Sequence, residues 1–142
     1  MLNRLLYVSR AVNGSASAQD ISAIVEVSRK NNAQQGITGI LCYGAGIYLQ
    51  AIEGGRDVVN RLYAKLLHDP RHEDIVLLHY EEINERRFSH WHMGKVNLDK
   101  LNASVVLKYS EKPVLDPYSV SGKVSLALLE ELMLTASIVG RT

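Results

Sequence analysis

The order of patterns along the chain predicts an α+β fold of the ferredoxin-like kind: a mixed sheet carries two helices on one face and a C-terminal helical segment on the other. Three observations carry that expectation. Apolar runs and helical periodicities alternate as β-α-β-β-α-β-β, and a glycine-rich tight turn joins the second and third β-runs. Both sides of the first run are largely apolar, so the sheet needs cover on both faces.

Residues 5–9 form that first run, with Leu5, Tyr7 and Ser9 on one side and Leu6 and Val8 on the other. Asn13, Gly14 and Ser15 mark a turn. Ser17-Ala-Gln-Asp20 resembles a capping box, and Ile21, Ile24, Val25 and Ser28 recur at helical spacing, which predicts a helix over about 18–31, with Gly36 ending the helical region. Residues 37–43 and 47–53 read as strands joined by Gly44-Ala45-Gly46, an antiparallel hairpin. Val59, Leu62, Tyr63 and Leu66 put an apolar stripe on a second helix that stops before Pro70. Residues 75–83 and 91–96 read as strands, and the latter would put Trp91 and Met93 on one face. Pro113, Pro117 and Gly122 read as a linker into an amphipathic helix over 121–139, with Val124, Leu128, Leu129 and Leu132 inward.

A chain of 142 residues suits one domain, too short for a sensor joined to a separate enzyme. Sixteen basic against fifteen acidic residues leave a formal charge of +1, which argues against a nucleic-acid or anionic-membrane partner. The single cysteine, Cys42, excludes an internal disulfide and a Cys-rich zinc site, and a reducing compartment is expected. Residues 1–9 lack a secretory pattern, and no run approaches the roughly 18 apolar residues of a membrane span. A soluble, cytoplasmic protein is the expectation.

The familiar chemical motifs are missing. Gly44-Ala-Gly46 lacks the third glycine of a dinucleotide fingerprint and sits in a hairpin, and neither a Walker loop nor a nucleophile elbow occurs. His68 and His72 are separated by helix-breaking Pro70, and His90 and His92 merely flank Trp91, so no metal site is expected. Cys42 in an apolar strand reads as core. What remains is polar and scattered. Gln50 in mid-strand needs hydrogen-bond partners if buried, although a solvent-facing or structurally satisfied glutamine is the simpler reading. Tyr7 taken alone is a core tyrosine, Asn31-Asn32 a helix C-cap, and Trp91 and Met93 core packing.

Taken together these pieces resemble the BLUF domains, sensors of blue light using flavin adenine dinucleotide. The matching runs are Arg4-Leu-Leu-Tyr-Val-Ser-Arg10, Asn31-Asn-Ala-Gln-Gln-Gly-Ile-Thr-Gly-Ile-Leu41, Tyr48-Leu-Gln-Ala-Ile-Glu-Gly54, Asp69-Pro-Arg-His72 and Trp91-His-Met93. They span about residues 4–96 in order, and the tail after them resembles that of short cyanobacterial-type members without an output domain. The resemblance divides the chain into a photosensor over 1–97 and a helical extension over 98–142.

It further implies a flavin held without a covalent bond between the two helices, FAD first, with FMN or riboflavin as alternatives. Tyr7 and Gln50 would lie beside the reactive edge of the ring, Asn31 and Asn32 at its pyrimidine end with Asp69, Arg71 and His72 nearby. Ile24, Ser28, Leu41, Tyr48 and Leu66 would line the slot. Ser9, Trp91 and Met93 join Tyr7 and Gln50 as the photoactive group. Ala64-Lys65 stands where a more basic pair is common in the family. No substrate would be turned over, and signalling would pass through a homo-oligomer, a dimer or larger ring, or a separate downstream protein. Two rivals share the layout. A flavin-free regulatory module would be colourless, and a hydrolase of the acylphosphatase type would want an anion-binding loop near Arg10 and Asn13 that this sequence lacks.

Overall fold

In the computed structural model, which describes residues 1–12, 18–135 and 138, the predicted β-runs become a single five-stranded sheet. Its strands are β1 (Leu2–Ala11), β2 (Thr38–Gly44), β3 (Ile47–Gly55), β4 (His72–Ile83) and β5 (Gly94–Asn97). They lie in the order β4-β1-β3-β2-β5. β1 is antiparallel to β3 and β4, β2 is antiparallel to β3, and β5 adds in parallel beside β2. The helices are α1 (Ala18–Gln35), α2 (Arg56–Leu67), α3 (Ala103–Leu107) and α4 (Gly122–Met133).

Strand pleating sorts the core into two faces. Leu5, Tyr7 and Ile52 pack with Val59 of α2, while Leu41, Tyr48 and Met93 pack with Ile21 and Val25 of α1. On the opposite face Leu6, Val8, Leu49, Ala51 and Cys42 meet Val106, Leu126, Leu128, Leu129 and Leu132 from the C-terminal helices. Each fully buried leucine there contributes about 1.5–3 kcal/mol. Burial also pushes the Cys42 thiol well above its ordinary range.

Two glycines are required by geometry. Gly36 adopts φ +71°, and the Ile37 amide donates 2.9 Å back to the Asn32 carbonyl, which closes α1 in a Schellman-type cap. At Gly39 a Cβ would fall 2.1 Å from the Ala51 carbonyl oxygen. Any side chain there would force β2 and β3 apart.

Several boundaries differ from expectation. α1 runs to Gln35, so Asn31 and Asn32 lie within the helix and are not its cap; the left-handed Gly36 is what stops it. β4 begins three residues earlier, at His72. The fifth strand starts only at Gly94, and bends at His92 and Met93 break the two-residue period. Trp91 and Met93 therefore do not share a face: Trp91 joins the C-terminal cluster and Met93 the α1 side. α4 begins as expected, with Ser121 Oγ accepting from the Val124 amide, and α3 and a 3₁₀ turn at Leu98–Lys100 were not anticipated. The expected turn at 13–15 and the cap at Ser17 lie outside the described residues, and the helix expected to reach 139 ends at Met133, where the Leu134 amide turns back to the Glu131 carbonyl at 3.0 Å. Among the described residues no helix is long and apolar enough to cross a membrane.

Candidate functional site

Tyr7 and Gln50 are direct cross-strand partners in the β1–β3 register, both on the α1/α2 side of the sheet and both buried. The Tyr7 hydroxyl donates a hydrogen bond to Gln50 Oε1. Burial, with a smaller contribution from Asp69, raises the Tyr7 pKa far above the ordinary phenol range, so the hydroxyl keeps its proton at neutral pH. On its other side, Gln50 Nε2 donates to Met93 Sδ at 3.4 Å. A thioether is a weak acceptor, and the second amide hydrogen has no protein partner among the described residues.

These side chains open onto a cleft between the helices, continuous with solvent. α1 contributes Ile24 and Ser28, and the strands contribute Tyr7, Leu41, Tyr48 and Gln50. The end of α2, the loop after it and the first residue of β4 bring Leu66, Asp69, Arg71 and His72. Ten of the twelve residues expected to contact a flavin therefore line one cleft. Asn31 and Asn32 do not. Asn31 is exposed, and buried Asn32 turns its amide to the His92 carbonyl, Nδ2 to O 2.6 Å.

At the cleft mouth the Arg71 guanidinium grips the Asp69 carboxylate through bonds of 2.5–3.1 Å. Those hydrogen bonds lower the Asp69 pKa and raise that of Arg71. His72 bridges strand and helix: Nε2 lies 2.6 Å from the Leu66 carbonyl and Nδ1 2.7 Å from Ser9 Oγ. A carbonyl can only accept, so Nε2 carries a proton and a neutral ring accepts the Ser9 hydroxyl at Nδ1. Ser9 thus stands behind the cleft, and its histidine packs edge-on against the Tyr7 and Tyr48 rings at 5.9 and 6.3 Å.

The stretch carrying Met93 is held by bonds that sequence reasoning did not anticipate. Arg29 Nε donates to the Met93 carbonyl at 3.0 Å, and the Gly39 amide donates to the Trp91 carbonyl at 2.8 Å. Main-chain acceptors leave no trace in side-chain patterns, so Arg29 looks like any solvated helix residue. Trp91, placed among the photoactive residues at first sight, lies on the far side of the sheet beside the C-terminal cluster. Among the described residues no group of three or more His, Cys, Asp or Glu side chains could hold a metal ion.

The donor set suits a flat, uncharged heteroaromatic ring. Ile24, Leu41 and Leu66 offer apolar walls, and the unmet Gln50 N–H offers a donor to a carbonyl or ring nitrogen at the edge. Comparisons with known proteins point the same way. The family model described as sensors of blue-light using FAD, BLUF, matches residues 2–94. The photoactivated adenylate cyclase subunit beta of Euglena longa is 41% identical over 87 residues, 61% of this chain. The present chain spans only about 10% of that relative's length. Among solved structures, the photo-activated state of BlsA superposes with TM-score 0.86 at 29% identity, covering 96% of this chain and 98% of that one. The dark state of BlrB, a BLUF protein, gives TM-score 0.76 at 32% identity over 93% of this chain and 94% of its own. With the fold, the cleft and the matched residues in agreement, the chain belongs to the BLUF family of flavin-binding blue-light sensors.

Proposed function

We propose that residues 1–97 form a photoswitch whose moving part is the Gln50 amide, and that residues 98–142 are the extension through which its state is read. Bound flavin supplies blue-light absorption and, when excited, an electron acceptor. The chain supplies the rest. Tyr7 is too deeply buried to ionise by itself, so its proton leaves only together with an electron, along the bond it already makes to Gln50. When electron and proton return, Gln50 is left offering a different end of its amide to its neighbours. The single observation that carries this reading is a buried amide with one strong partner, Tyr7, one weak partner, Met93, and a donor to spare.

FAD is the flavin assigned, with Arg71 and Asp69 at the mouth where a flavin's side chain would leave the cleft. Asn31 and Asn32 remain assigned to the pyrimidine end, reached by rotation of the Asn32 amide away from His92. The protein senses and does not turn over a substrate. It acts in the cytoplasm, without nucleic acid or membrane, as a homo-oligomer that hands its signal to a separate protein. The test is a visible spectrum of purified protein before and after blue light. A yellow protein that gives a persistent, reversible red shift, lost in Tyr7→Phe and in Gln50→Ala, is expected. A colourless protein that takes up no added flavin would overturn the reading.

A further inference from the structure

Glu53 lies on β3 three residues beyond Gln50, so the pleat turns it to the sheet face away from the cleft. It is fully enclosed, directly opposite buried Arg4 of β1. Arg4 Nε and Nη2 both reach Glu53 Oε2 at 2.8 Å. A buried carboxylate needs such a partner, but one guanidinium leaves other lone pairs of the carboxylate unmet. Here they accept the backbone amides of Arg87, at 3.0 Å, and Phe88, at 2.7 Å.

Those amides lie within a stretch with no helix or strand to hold it, running from residue 84 to 93. Further attachments follow along it, beginning with Arg86 Nη1, which donates to Thr38 Oγ1 at 3.0 Å. The Phe88 ring is sealed in the C-terminal cluster, the Trp91 amide donates to the Phe88 carbonyl at 3.3 Å, and Met93 ends the stretch against Gln50. One end is thus fixed by an ion and several charge-assisted bonds. At the other end the main-chain carbonyls of Trp91, His92 and Met93 accept from Gly39, Asn32 and Arg29, and only the Met93 side chain meets Gln50 through a single N–H···S contact.

We propose that Glu53 is a positioning residue of the photoswitch: by clasping the Arg87 and Phe88 amides it sets where residues 87–93 sit, and so how Met93 meets Gln50. The inference rests on the Tyr7–Gln50 reading. A turn of the Gln50 amide changes the Met93 side-chain contact while the Glu53 clasp and the main-chain bonds at 91–93 hold, so the response is confined to that side chain and the altered bonding persists. Without the clasp the segment loses its anchor at residues 87 and 88, and the new Met93 arrangement is held less firmly.

The experiment measures the light-induced red shift and its dark recovery in flavin-loaded full-length protein. Glu53→Gln keeps the shape but presents an amide nitrogen to groups that are all donors. It should retain flavin, give a smaller red shift and recover about tenfold faster in the dark. Leu132→Ala, a cavity in the C-terminal cluster, to which Met93 does not belong, should lower stability and leave recovery within about twofold of wild type. If Glu53→Gln does not fold, Arg4→Met/Glu53→Gln, which leaves no unpaired buried charge, should show the same fast recovery. A folded, flavin-loaded variant with the wild-type shift and recovery overturns the role of Glu53 and leaves the Tyr7–Gln50 reading standing. Absence of any red shift in the wild-type protein sinks the reading beneath both.

Discussion

Two cross-strand pairs join β1 to β3 three residues apart, Arg4 with Glu53 and Tyr7 with Gln50, and they are built in opposite ways. The ionic pair faces the C-terminal helices and leaves Glu53 with donors on both oxygens. The neutral pair faces the cleft, and Gln50 meets one good partner, one poor partner and open space. A fully satisfied buried group has nowhere to go, since any rotation breaks bonds worth about 1.5–3 kcal/mol each when a charge is involved. An under-satisfied amide can exchange partners at small cost. The same strands therefore carry a fixed point on one face and a movable one on the other.

The contrast breaks most completely at Tyr7. Tyr7→Phe preserves ring volume and removes the hydroxyl, and the yield of the persistent red shift should fall at least about a hundredfold, the scale of losing a required proton-transfer group. Steady illumination of the yellow variant measures this. Next comes the ionic pair: Arg4→Met strands a buried carboxylate and should cost about 3–5 kcal/mol in urea unfolding, whereas adding Glu53→Gln should restore most of it. If single and double variants unfold alike, the fixed point is not electrostatic. Asn32→Ala leaves the His92 carbonyl without its donor and should cost about 1 kcal/mol with a few-fold faster recovery. Unchanged recovery would confine Asn32 to helix packing.

The smallest effect is at the cleft mouth. Arg71 holds the Asp69 pKa below its ordinary value, so the stability it adds is present above the unfolded pKa and is lost as pH falls through the lowered one. Arg71 is largely exposed, which limits the gain to about 1 kcal/mol or less. Asp69→Asn should flatten that acid limb of the stability curve by lowering neutral-pH stability by that same amount, about 1 kcal/mol or less; an acid limb of the same slope would mean other carboxylates carry it.

Much of the frame was legible because periodicity reports burial. The Val59, Leu62, Leu66 stripe and the Gly44-Ala45-Gly46 turn announce α2 and the hairpin directly. The cleft was legible too, since the runs resembling the BLUF pattern carry most of its lining. The failures cluster where backbone bonds decide the outcome. Asn32 looked like a cap because asparagine often is one, but Gly36 four residues on supplies the left-handed turn that ends α1. Trp91 and Met93 looked like one strand face because alternation assumes an extended chain, and two bends cancel it. Glu53 falls inside a run that carries the resemblance, but nothing in the pattern signalled its burial or its partners. A lone acid near a strand end reads as solvated, and only the fold brings Arg4 and two amides around it.

Cys42, sealed beneath the C-terminal helices, has a consequence for experiment. A thiol that is both enclosed and held protonated reacts with an alkylating reagent only after the layer above it lifts. Its labelling rate in the native protein therefore counts openings of that layer and says little about sulfur chemistry. As the sequence contains no other cysteine, the chain carries its own single-site reporter. The ratio of labelling rates in darkness and under blue light measures how firmly the C-terminal helices grip the sheet in each state.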